Sequence, residues 1–310
     1  MGASIKLRHL RCFVAVAETG SFTVAANRLF QTQSSLTATI KQLEEAAGLT
    51  LFDRTTRRVE LTRDAIWFKV VAERVLLDFD NAISDLRAVS KSQRGRIKIT
   101  VAQSMMSHIL GPTLKAFRRL YPEISISVYD QGADKVERAV LNGEMDFGLS
   151  SRLNNFPDLE YVPVLADPFG VIFPANHPIA KKAGRLTWTD LHQYQDDYVA
   201  LTEDTGIGAL LVRQKGLVDH IEVRDYASST SSLLALLQLG GKISVLPSLA
   251  AHNGELGRFK FRELHKPLVY REICLITRHL RSRSPSAQRI LDILLKTIKS
   301  SEQLHGSKIL

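Results

Sequence analysis

The chain has 310 residues and a net charge of +9, with 45% hydrophobic and 24% charged residues. This composition excludes a disordered chain, and the length allows two or three domains. No apolar run approaches the roughly 18 residues of a membrane span, and no signal-peptide pattern is present, so we expect a cytoplasmic protein. The cysteines, Cys12 and Cys274, lie far apart, which favours reduced thiols over a disulfide framework or a zinc site.

The first 63 residues combine a local positive charge with a series of short helical patterns. They contain nine Lys and Arg against five Asp and Glu. Apolar residues at helical spacing predict a helix over 7–18, which Gly20 ends, and a second helix over 22–30. A short polar turn then leads to a third helix. Two short helices joined by a tight turn indicate a helix-turn-helix, here at about 21–41.

The third helix begins with a run of small polar side chains. Thr32 is placed to act as its N-cap and Gly48 to end it, while apolar residues form a stripe on another face. A helix that enters the DNA major groove presents short donors and acceptors to base edges, and its N-terminus favours a phosphate. Capping and a solvated face explain only part of the polar run. We therefore predict a DNA-binding surface formed by Arg28, Thr32, Gln33, Ser34, Ser35, Thr37 and Lys41.

A short basic segment, LFDRTTRRVELT, follows the third helix. The alternation of apolar and polar residues over 59–62 predicts a hairpin. Three arginines cluster near its turn, Arg54, Arg57 and Arg58. Beside a helix-turn-helix such a hairpin is the wing of a winged helix, and we expect its arginines to bind phosphates or a minor groove. A solvated run of charge is the alternative.

The next segment, 64–92, has the pattern of a long helix. Apolar residues alternate at three and four positions over about three and a half heptads, with neither Gly nor Pro inside. Such a seam must be buried, either against the helix's own domain or against the same helix of a second copy. We expect the second arrangement, in a homodimer or homotetramer. The predicted dimerisation residues are Phe68, Ala72, Val75, Phe79, Ala82 and Leu86.

The remaining residues, 93–310, have the pattern of an α/β domain. Strand-like runs alternate with helical patterns, which indicates one or two mostly parallel sheets. The strands are predicted at 97–101, 124–130, 146–150, 170–173, 198–201, 221–225, 242–246 and 272–277. The helices are predicted at about 107–120, 133–142, 207–216, 229–239 and 284–299.

The run from Leu10 to Thr62 closely resembles the winged helix-turn-helix of LysR-type transcriptional regulators. It reads LRCFVAVAETGSFTVAANRLFQTQSSLTATIKQLEEAAGLTLFDRTTRRVELT, and the match rests on Phe13, Gly20, Ser21, Phe22, Ala25, Ala26, Leu29, Gln33, Ile40, Leu43, Glu44, Gly48, Leu51, Phe52 and Arg54. LKAFRRLYPEISISV and LNGEMDFGL resemble the effector domain of the same family. Two features depart from the family pattern. Ile66 stands where a Gly is common, and Thr32 and Ser34 stand where Ser and Pro are common, which is expected to alter base preference.

The resemblance implies three parts. They are an N-terminal all-α, winged helix-turn-helix domain at 1–63, a long linker helix at 64–92, and an α/β effector-binding domain at 93–310. The effector domain would consist of two periplasmic-binding-protein-like subdomains. Subdomain I would comprise about 96–165 and 270–300, and subdomain II about 166–265. The chain would cross between them near 165–166 and near 266–269.

The resemblance also implies a small-molecule effector, expected to be anionic, in a cleft between the subdomains. Its candidate ligands are Ser104, Met105, Gln131, Ser150, Thr202, Ser228, Ser229 and Thr230. The chemistry of these residues agrees with an anionic effector, because hydroxyls and backbone N–H groups at helix starts can bind an anion without Arg or Lys. An ordinary N-cap is the alternative role for each Ser and Thr, and core packing for Met105.

These features predict a sequence-specific transcriptional regulator modulated by the effector. It would bind double-stranded DNA at a partly palindromic operator, without a cofactor, a metal ion or a membrane. An enzyme is the alternative from another class, since His108 follows Ser104 by four residues. The sequence lacks a G-x-S-x-G elbow, a P-loop, metal-ligand spacing and a G-x-G-x-x-G motif. An architectural DNA-binding protein would not need the α/β domain, and a solute-binding protein would leave the N-terminal 90 residues without a role.

Overall fold

The computed structural model describes residues 5–54, 59–90, 95–214, 216–218, 221–279, 281, 283–300 and 304–310. The chain divides into two compact units, Met1–Ser90 and Lys91–Leu310, each with its own hydrophobic core. Within the described residues, no helix is both long enough and apolar enough to cross a membrane.

The N-terminal unit begins with three helices, α1 (Leu7–Thr19), α2 (Phe22–Arg28) and α3 (Gln33–Ala47). Gly20 ends α1 in the left-handed conformation, with a φ of 62°, and its N–H donates to the carbonyl of Val16. The hydroxyl of Thr32 accepts from the N–H of Ser35 and caps α3, which Gly48 ends with a φ of 68°. The predicted positions of all three caps are confirmed.

Aromatic side chains pack this helical layer against a hairpin, β1 (Phe52–Arg54) and β2 (Val59–Leu61). The ring of Phe13 on α1 lies 5.4 Å from the ring of Phe52 on β1, measured between centroids. Phe13 also contacts Phe68 of the next helix, at 4.9 Å. Such aromatic pairs contribute about 0.5–1.5 kcal/mol each beyond the area that they bury. The hairpin is therefore part of the same core as the helices.

The fourth helix, α4 (Arg63–Ser90), is the long helix that the sequence predicts, but its apolar residues lie in two environments. Ala65 and Ala72 are buried in the N-terminal core, and Phe68 packs against the same core. Ala72 is therefore not available to a partner helix, and Phe68 only in part, which corrects the predicted seam. The physical reason is that the first turns of α4 bury their stripe against their own domain. The remaining predicted positions are exposed, namely Val75, Phe79, Ala82 and Leu86.

The C-terminal unit starts with a first lobe built on three strands. Its elements are β3 (Arg96–Val101), α5 (Gly111–Leu120), β4 (Ser125–Asp130), α6 (Ala133–Leu141) and β5 (Phe147–Ser150). β3 lies between β4 and β5 and pairs with both in parallel. The carboxyl ends of the three strands therefore meet at one edge of the lobe.

The chain then enters a second lobe through β6 (Leu159–Phe173), a strand of 15 residues of which the sequence predicted only 170–173. The further elements are β7 (Leu186–Thr187), β8 (Val199–Leu201), α7 (Gly206–Arg213), β9 (Asp225–Ala227), α8 (Thr230–Gln238), β10 (Ser244–Pro247), α9 (Ser248–Ala251) and β11 (Lys260–His265). β10 and β11 pair antiparallel with the end of β6, and β8 pairs in parallel with β9. The sheets are therefore mixed rather than mostly parallel. The strand predicted at 221–225 was wrong, since β9 begins at Asp225, and β11 was not predicted.

A further strand pairs with β6 at the junction between the lobes. β12 (Tyr270–Arg278) pairs antiparallel with the first part of β6 and with β5. The chain ends with α10 (Pro285–Ser300), which packs on the first-lobe core, and β13 (Lys308–Ile309), which pairs with β6 at Leu165 and Ala166. The junction between the lobes is thus formed by paired strands, and it opens on a cleft.

Candidate functional site

The first candidate site is the exposed N-terminal part of α3. Gln33, Ser34 and Lys41 are exposed along this helix. The hydroxyl of Thr23 on α2 donates to Oε1 of Gln33 at 3.2 Å, which fixes the orientation of the amide. An oriented amide can accept from N6 and donate to N7 of adenine in a major groove. Gln33 therefore presents an exposed, oriented amide on the predicted DNA-binding surface.

Other residues that are predicted to bind DNA also form contacts within the N-terminal unit. The cap formed by Thr32 uses one acceptor of its hydroxyl, and Ser35 accepts from Nη2 of Arg8 at 3.2 Å. Thr37 is half-buried, and Arg28 is exposed and forms an ion pair with Glu18. Arg8, which the sequence did not single out, adds a positive charge beside the start of α3.

The hairpin is tied to α3 by a side chain of the helix that accepts hydrogen bonds from the backbone at the start of the hairpin. Oε1 of Glu44 accepts from the N–H groups of Leu51 and Phe52, at 2.8 and 3.3 Å. This contact sets the position of the start of β1 relative to α3. Arg54 ends β1, and the predicted wing residues Arg57 and Arg58 lie outside the described residues.

The second candidate site is a cleft of about 500 Å³ between the two lobes. In the first lobe it is bounded by the carboxyl ends of β3, β4 and β5. In the second lobe it is bounded by the turns before α7 and α8. This volume suits a small organic molecule. The predicted effector residues that line it are Ser104, Gln131, Ser150, Ser228, Ser229 and Thr230.

Two predicted effector residues do not line the cleft. Met105 is fully buried in the core of the first lobe, because the tight turn after β3 directs its side chain inward. Thr202 donates its hydroxyl to the carboxylate of Asp204 and closes the turn before α7. Thr205 takes the place predicted for Thr202, since it lines the cleft and caps α7 by accepting from the N–H of Gly208.

The cleft also contains charged residues that the sequence analysis did not assign to it. They are Asp130, Lys135, Asp204 and Arg271. Burial raises the pKa of the Asp130 carboxyl. Arg271 carried no sequence signal, because it lies on β12 and its partners are distant in the chain. Within the described residues, no group of His, Cys, Asp and Glu is arranged to hold a metal ion.

Arg271 forms the floor of the cleft and is held there by the buried carboxylate of Asp167. Nε and Nη2 of Arg271 donate to the two carboxylate oxygens of Asp167, at 2.9 and 2.8 Å, and Nη1 donates to Oγ of Ser104 at 3.0 Å. Asp167 also accepts from the N–H of Leu249, at 2.9 Å. Both charged side chains are almost completely buried, and they lie directly opposite each other on β12 and β6. The pair therefore anchors the floor to the strands that join the lobes.

The lobes approach each other closely at the rim of the cleft. A Cβ atom on Gly132 would lie 3.2 Å from the carbonyl oxygen of Asp204, and one on Gly206 would lie 2.9 Å from Cβ of Ala133. Thr230 also donates its hydroxyl to Oε1 of Gln103. The two glycines thus allow the start of α6 and the start of α7 to meet.

Comparison with known proteins identifies the family. Residues 7–65 match the family model of the bacterial regulatory helix-turn-helix protein, lysR family, and residues 90–299 match that of the LysR substrate binding domain. The chain belongs to the LysR family. It is therefore a DNA-binding transcriptional regulator with an effector-binding domain.

Similar proteins cover between 67% and 94% of this chain. The uncharacterized HTH-type transcriptional regulator YbhD of Escherichia coli (strain K12) is 29% identical over 297 residues, which cover 94% of this chain and 91% of YbhD. Full-length CbnR, solved in complex with its target DNA, has a TM-score of 0.64 at 21% identity, with 94% of this chain and 100% of CbnR covered. The effector binding domain of QuiR in complex with shikimate has a TM-score of 0.59 at 20% identity, with 67% of this chain and 99% of QuiR covered. These structures share the fold.

Proposed function

We propose that this LysR-family regulator binds a partly palindromic operator through α3 and responds to a small anionic effector bound in the cleft. It would act in the cytoplasm, as a dimer or tetramer joined through α4. The observation that carries the proposal is the polar cleft, whose walls come from two lobes and whose floor lies on the strands that join them.

The DNA-binding part of the proposal depends on the exposed face of α3. Gln33 has its amide oriented by Thr23, and Ser34 and Lys41 lie exposed on the same helix. Contacts from the first residues of a recognition helix are typical of helix-turn-helix proteins. CbnR, which has the same fold, has been solved with its target DNA. We therefore assign base reading to Gln33 and its neighbours, and phosphate or minor-groove contacts to Arg54, Arg57 and Arg58.

The self-association part depends on α4. Val75, Phe79, Ala82 and Leu86 continue the heptad pattern beyond the residues that pack on the N-terminal core, and all four are exposed. Apolar residues at this spacing are buried when two helices pair. A two-fold dimer also matches a palindromic operator, because each copy meets one half-site.

The effector part depends on the division of the C-terminal unit. We assign about 96–165 and 270–300 to subdomain I and about 166–265 to subdomain II, with the cleft between them. Hydroxyl groups from both sides line this cleft, including those of Ser104 and Ser228. QuiR, which shares the fold, has been solved with shikimate. A hydroxyl-lined cleft with two bordering helix starts suits a small anion.

The response would arise from a shift between two arrangements of the subdomains. A ligand changes such an equilibrium only by its difference in affinity for the two arrangements. An effector that contacts both walls binds the closed arrangement better than the open one. The resulting bias in closure would be transmitted through the linker helices to the DNA-binding domains.

The effector site can be tested with a substitution that fills the cleft with a bulky side chain. Gln131→Trp places a bulky ring at a lining position, and Lys115→Trp places the same ring on the exposed side of α5 as a matched control. Effectors are first found by thermal shift with small carboxylates and sulfonates, and operator affinity is then measured with and without them. We expect Gln131→Trp to bind the operator but to lose the response, and Lys115→Trp to keep both. An equal response in the two variants would place the ligand elsewhere.

A further inference from the structure

The segment 304–310 runs along the junction between the two lobes. Its strand β13 lies on one edge of β6, with Lys308 opposite Ala166 and Ile309 opposite Leu165. On the other edge of β6, the same two residues pair with β12. They lie where we place the first crossing of the chain between subdomains I and II. This crossing is therefore held by paired strands on both of its edges.

The same stretch of β6 contains an irregularity in register. Between two consecutive residues of β12, β6 advances from Leu165 to Pro163, so Val164 is an extra residue. Such β-bulges interrupt the ladder and let a strand bend. The carbonyl of Val164 nevertheless has a partner, because it accepts from the N–H of Leu310 at 3.2 Å. The segment thus covers the point of β6 at which bending is easiest.

The residues before β13 contact both lobes. Leu304 packs against the hydrophobic core of the first lobe. The ring of His305 meets that of His108, in the first lobe, edge-on. It also stacks on the ring of His252, which follows α9 in the second lobe. The segment is thus attached to both lobes as well as to the strand that joins them.

The second crossing of the chain, which we place near 266–269, borders on the same segment. It leads into Tyr270, the first residue of β12, and Nζ of Lys308 lies 4.1 Å from the centre of the Tyr270 ring. The backbone also passes close to β11, since a Cβ atom on Gly306 would lie 2.9 Å from Oε1 of Glu263. One short segment therefore borders on both crossings.

We propose that residues 304–310 act as a brace that limits changes in the relative orientation of the two lobes. A hinge movement needs changes in φ and ψ at the few residues that cross between lobes. At Val164 and Leu165 such changes would break the pairing with β13, and a shift of either lobe would separate the ring of His305 from its neighbours.

The brace goes beyond the proposed function, because its residues do not line the cleft. It rests on the proposed movement of the subdomains but not on effector binding, since it is measured without a ligand. The brace would set how far the lobes can move, whichever molecule the cleft binds.

The brace can be tested by measuring the distance between the lobes in the full-length protein. Spin labels are attached to Lys115→Cys on α5 and to Arg185→Cys before β7, both at exposed positions. Cys12 and Cys274 are buried, so the label attaches to the introduced residues. Dilution with unlabelled protein suppresses distances between copies. We expect a single narrow distance distribution while the brace is intact.

Two variants remove the brace to different extents. Deletion of residues 308–310 removes β13, and Leu310→Pro removes only the N–H that donates to Val164. We expect the distance distribution to become at least about twofold broader in the deletion variant, and to broaden less with Leu310→Pro. Ile309→Ala is the matched control, because it keeps the backbone pairing and shortens a side chain that is 45% exposed. It should give the distribution of the wild type.

A distribution that stays as narrow without β13 as with it would overturn the inference. If the melting temperature falls while the width is unchanged, the segment only adds stability and is not a brace. If the deletion prevents folding, Leu310→Pro decides, and an unchanged width in that variant rejects the brace. The effector site is judged separately: a response that survives Gln131→Trp rejects the cleft, while the distance measurement still decides on the brace.

Discussion

At the scale of single residues, Phe30 in the turn between α2 and α3 has an unfavourable conformation. Its φ of 53° lies in the left-handed region, and its side chain is 97% exposed. For a residue with a Cβ atom, this backbone conformation costs roughly 1–2 kcal/mol. An exposed ring gains no burial energy in return. The turn is therefore not optimised for the stability of the DNA-binding domain.

We predict that Phe30→Asn stabilises the domain by roughly 0.5–1 kcal/mol, because Asn adopts the left-handed conformation at lower cost. Chemical denaturation of the full chain, followed by a probe in the N-terminal unit, measures the change. Phe30→Ala is the control, since it removes the ring but keeps the unfavourable backbone, and it should change stability little. A loss of stability in the Asn variant would contradict this account of the turn.

For DNA recognition, we predict that Gln33→Ala weakens binding to the preferred operator by about 1–3 kcal/mol and relaxes base preference at one position. The reason is that the amide oriented by Thr23 can read a base edge. Lys41→Ala is the comparison. The loss of a phosphate contact should weaken binding to all DNA sequences and lower the salt slope by about one unit. Binding assays on the operator and on single-base variants, at several salt concentrations, separate the two. A uniform loss in Gln33→Ala would assign Gln33 to the backbone contacts.

At the scale of elements, α4 shows what a periodic pattern can and cannot determine. The heptad pattern predicted a long helix with one apolar seam, and that helix is present. The pattern could not decide whether the seam meets its own domain or a second copy, because both bury the same stripe. Ala65 and Ala72 are buried in the N-terminal core, whereas Phe79 and Leu86 are 39% and 65% exposed. Which part of α4 is buried in its own domain depends on where α1 packs. No local sequence pattern encodes that packing.

We predict that the double variant Phe79→Glu and Leu86→Glu converts the dimer to a monomer. Two copies would place four like charges in the helix interface, where unpaired buried charge is costly. The N-terminal core should stay folded, because both positions are outside it. Sedimentation velocity measures the association state. As a control, Ile66→Glu with Val70→Glu changes two residues that are each 59% exposed on another face of the helix. If this control variant dissociates and the first variant does not, the two copies pair through that other face of the helix.

The strands show the same limit of local sequence patterns. The first part of β6 contains Pro163, Asp167 and Pro168, so its sequence does not have the pattern of a buried strand. In the structure Asp167 is accommodated because Arg271 pairs with it from β12, 104 residues further along the chain. Local signals predicted the caps at Gly20 and Thr32, and the family resemblance implied most of the hydroxyls at the cleft. The floor of the cleft could not be predicted, because it depends on contacts between residues distant in sequence.

At the scale of the whole C-terminal unit, three imidazoles join segments that are remote in the chain. His252, just after α9, stacks on His305 with ring centroids 3.9 Å apart and planes 7° from parallel. His108 of the first lobe meets the same ring of His305 edge-on, at 5.2 Å. Three residues after His305, β13 begins and pairs with β6 at the junction between the lobes. The C-terminal segment therefore bridges the first lobe and the junction through this cluster.

This arrangement makes the stability of the C-terminal unit depend on pH. Burial lowers the pKa of His108, and burial together with the neighbouring His252 and His108 lowers that of His305. In the unfolded chain a histidine has a pKa of about 6.5. As the pH falls below that value, the unfolded state binds protons that His108 and His305 resist in the folded state. The stability contributed by these two neutral rings is therefore present above about pH 6.5 and is lost as the pH falls toward the lowered pKa values.

We predict that the melting temperature of the C-terminal unit falls between about pH 7 and pH 5, and that His305→Asn makes this fall shallower. Asn tolerates the φ of 51° at this position and does not titrate. His279→Asn is the control, since His279 is exposed and lies outside the cluster, and it should leave the pH profile as in the wild type. Thermal melts of the full chain across this range measure the effect. If His305→Asn and the wild type lose stability in parallel, the proton-sensitive groups lie elsewhere and the cluster only joins the segments by packing.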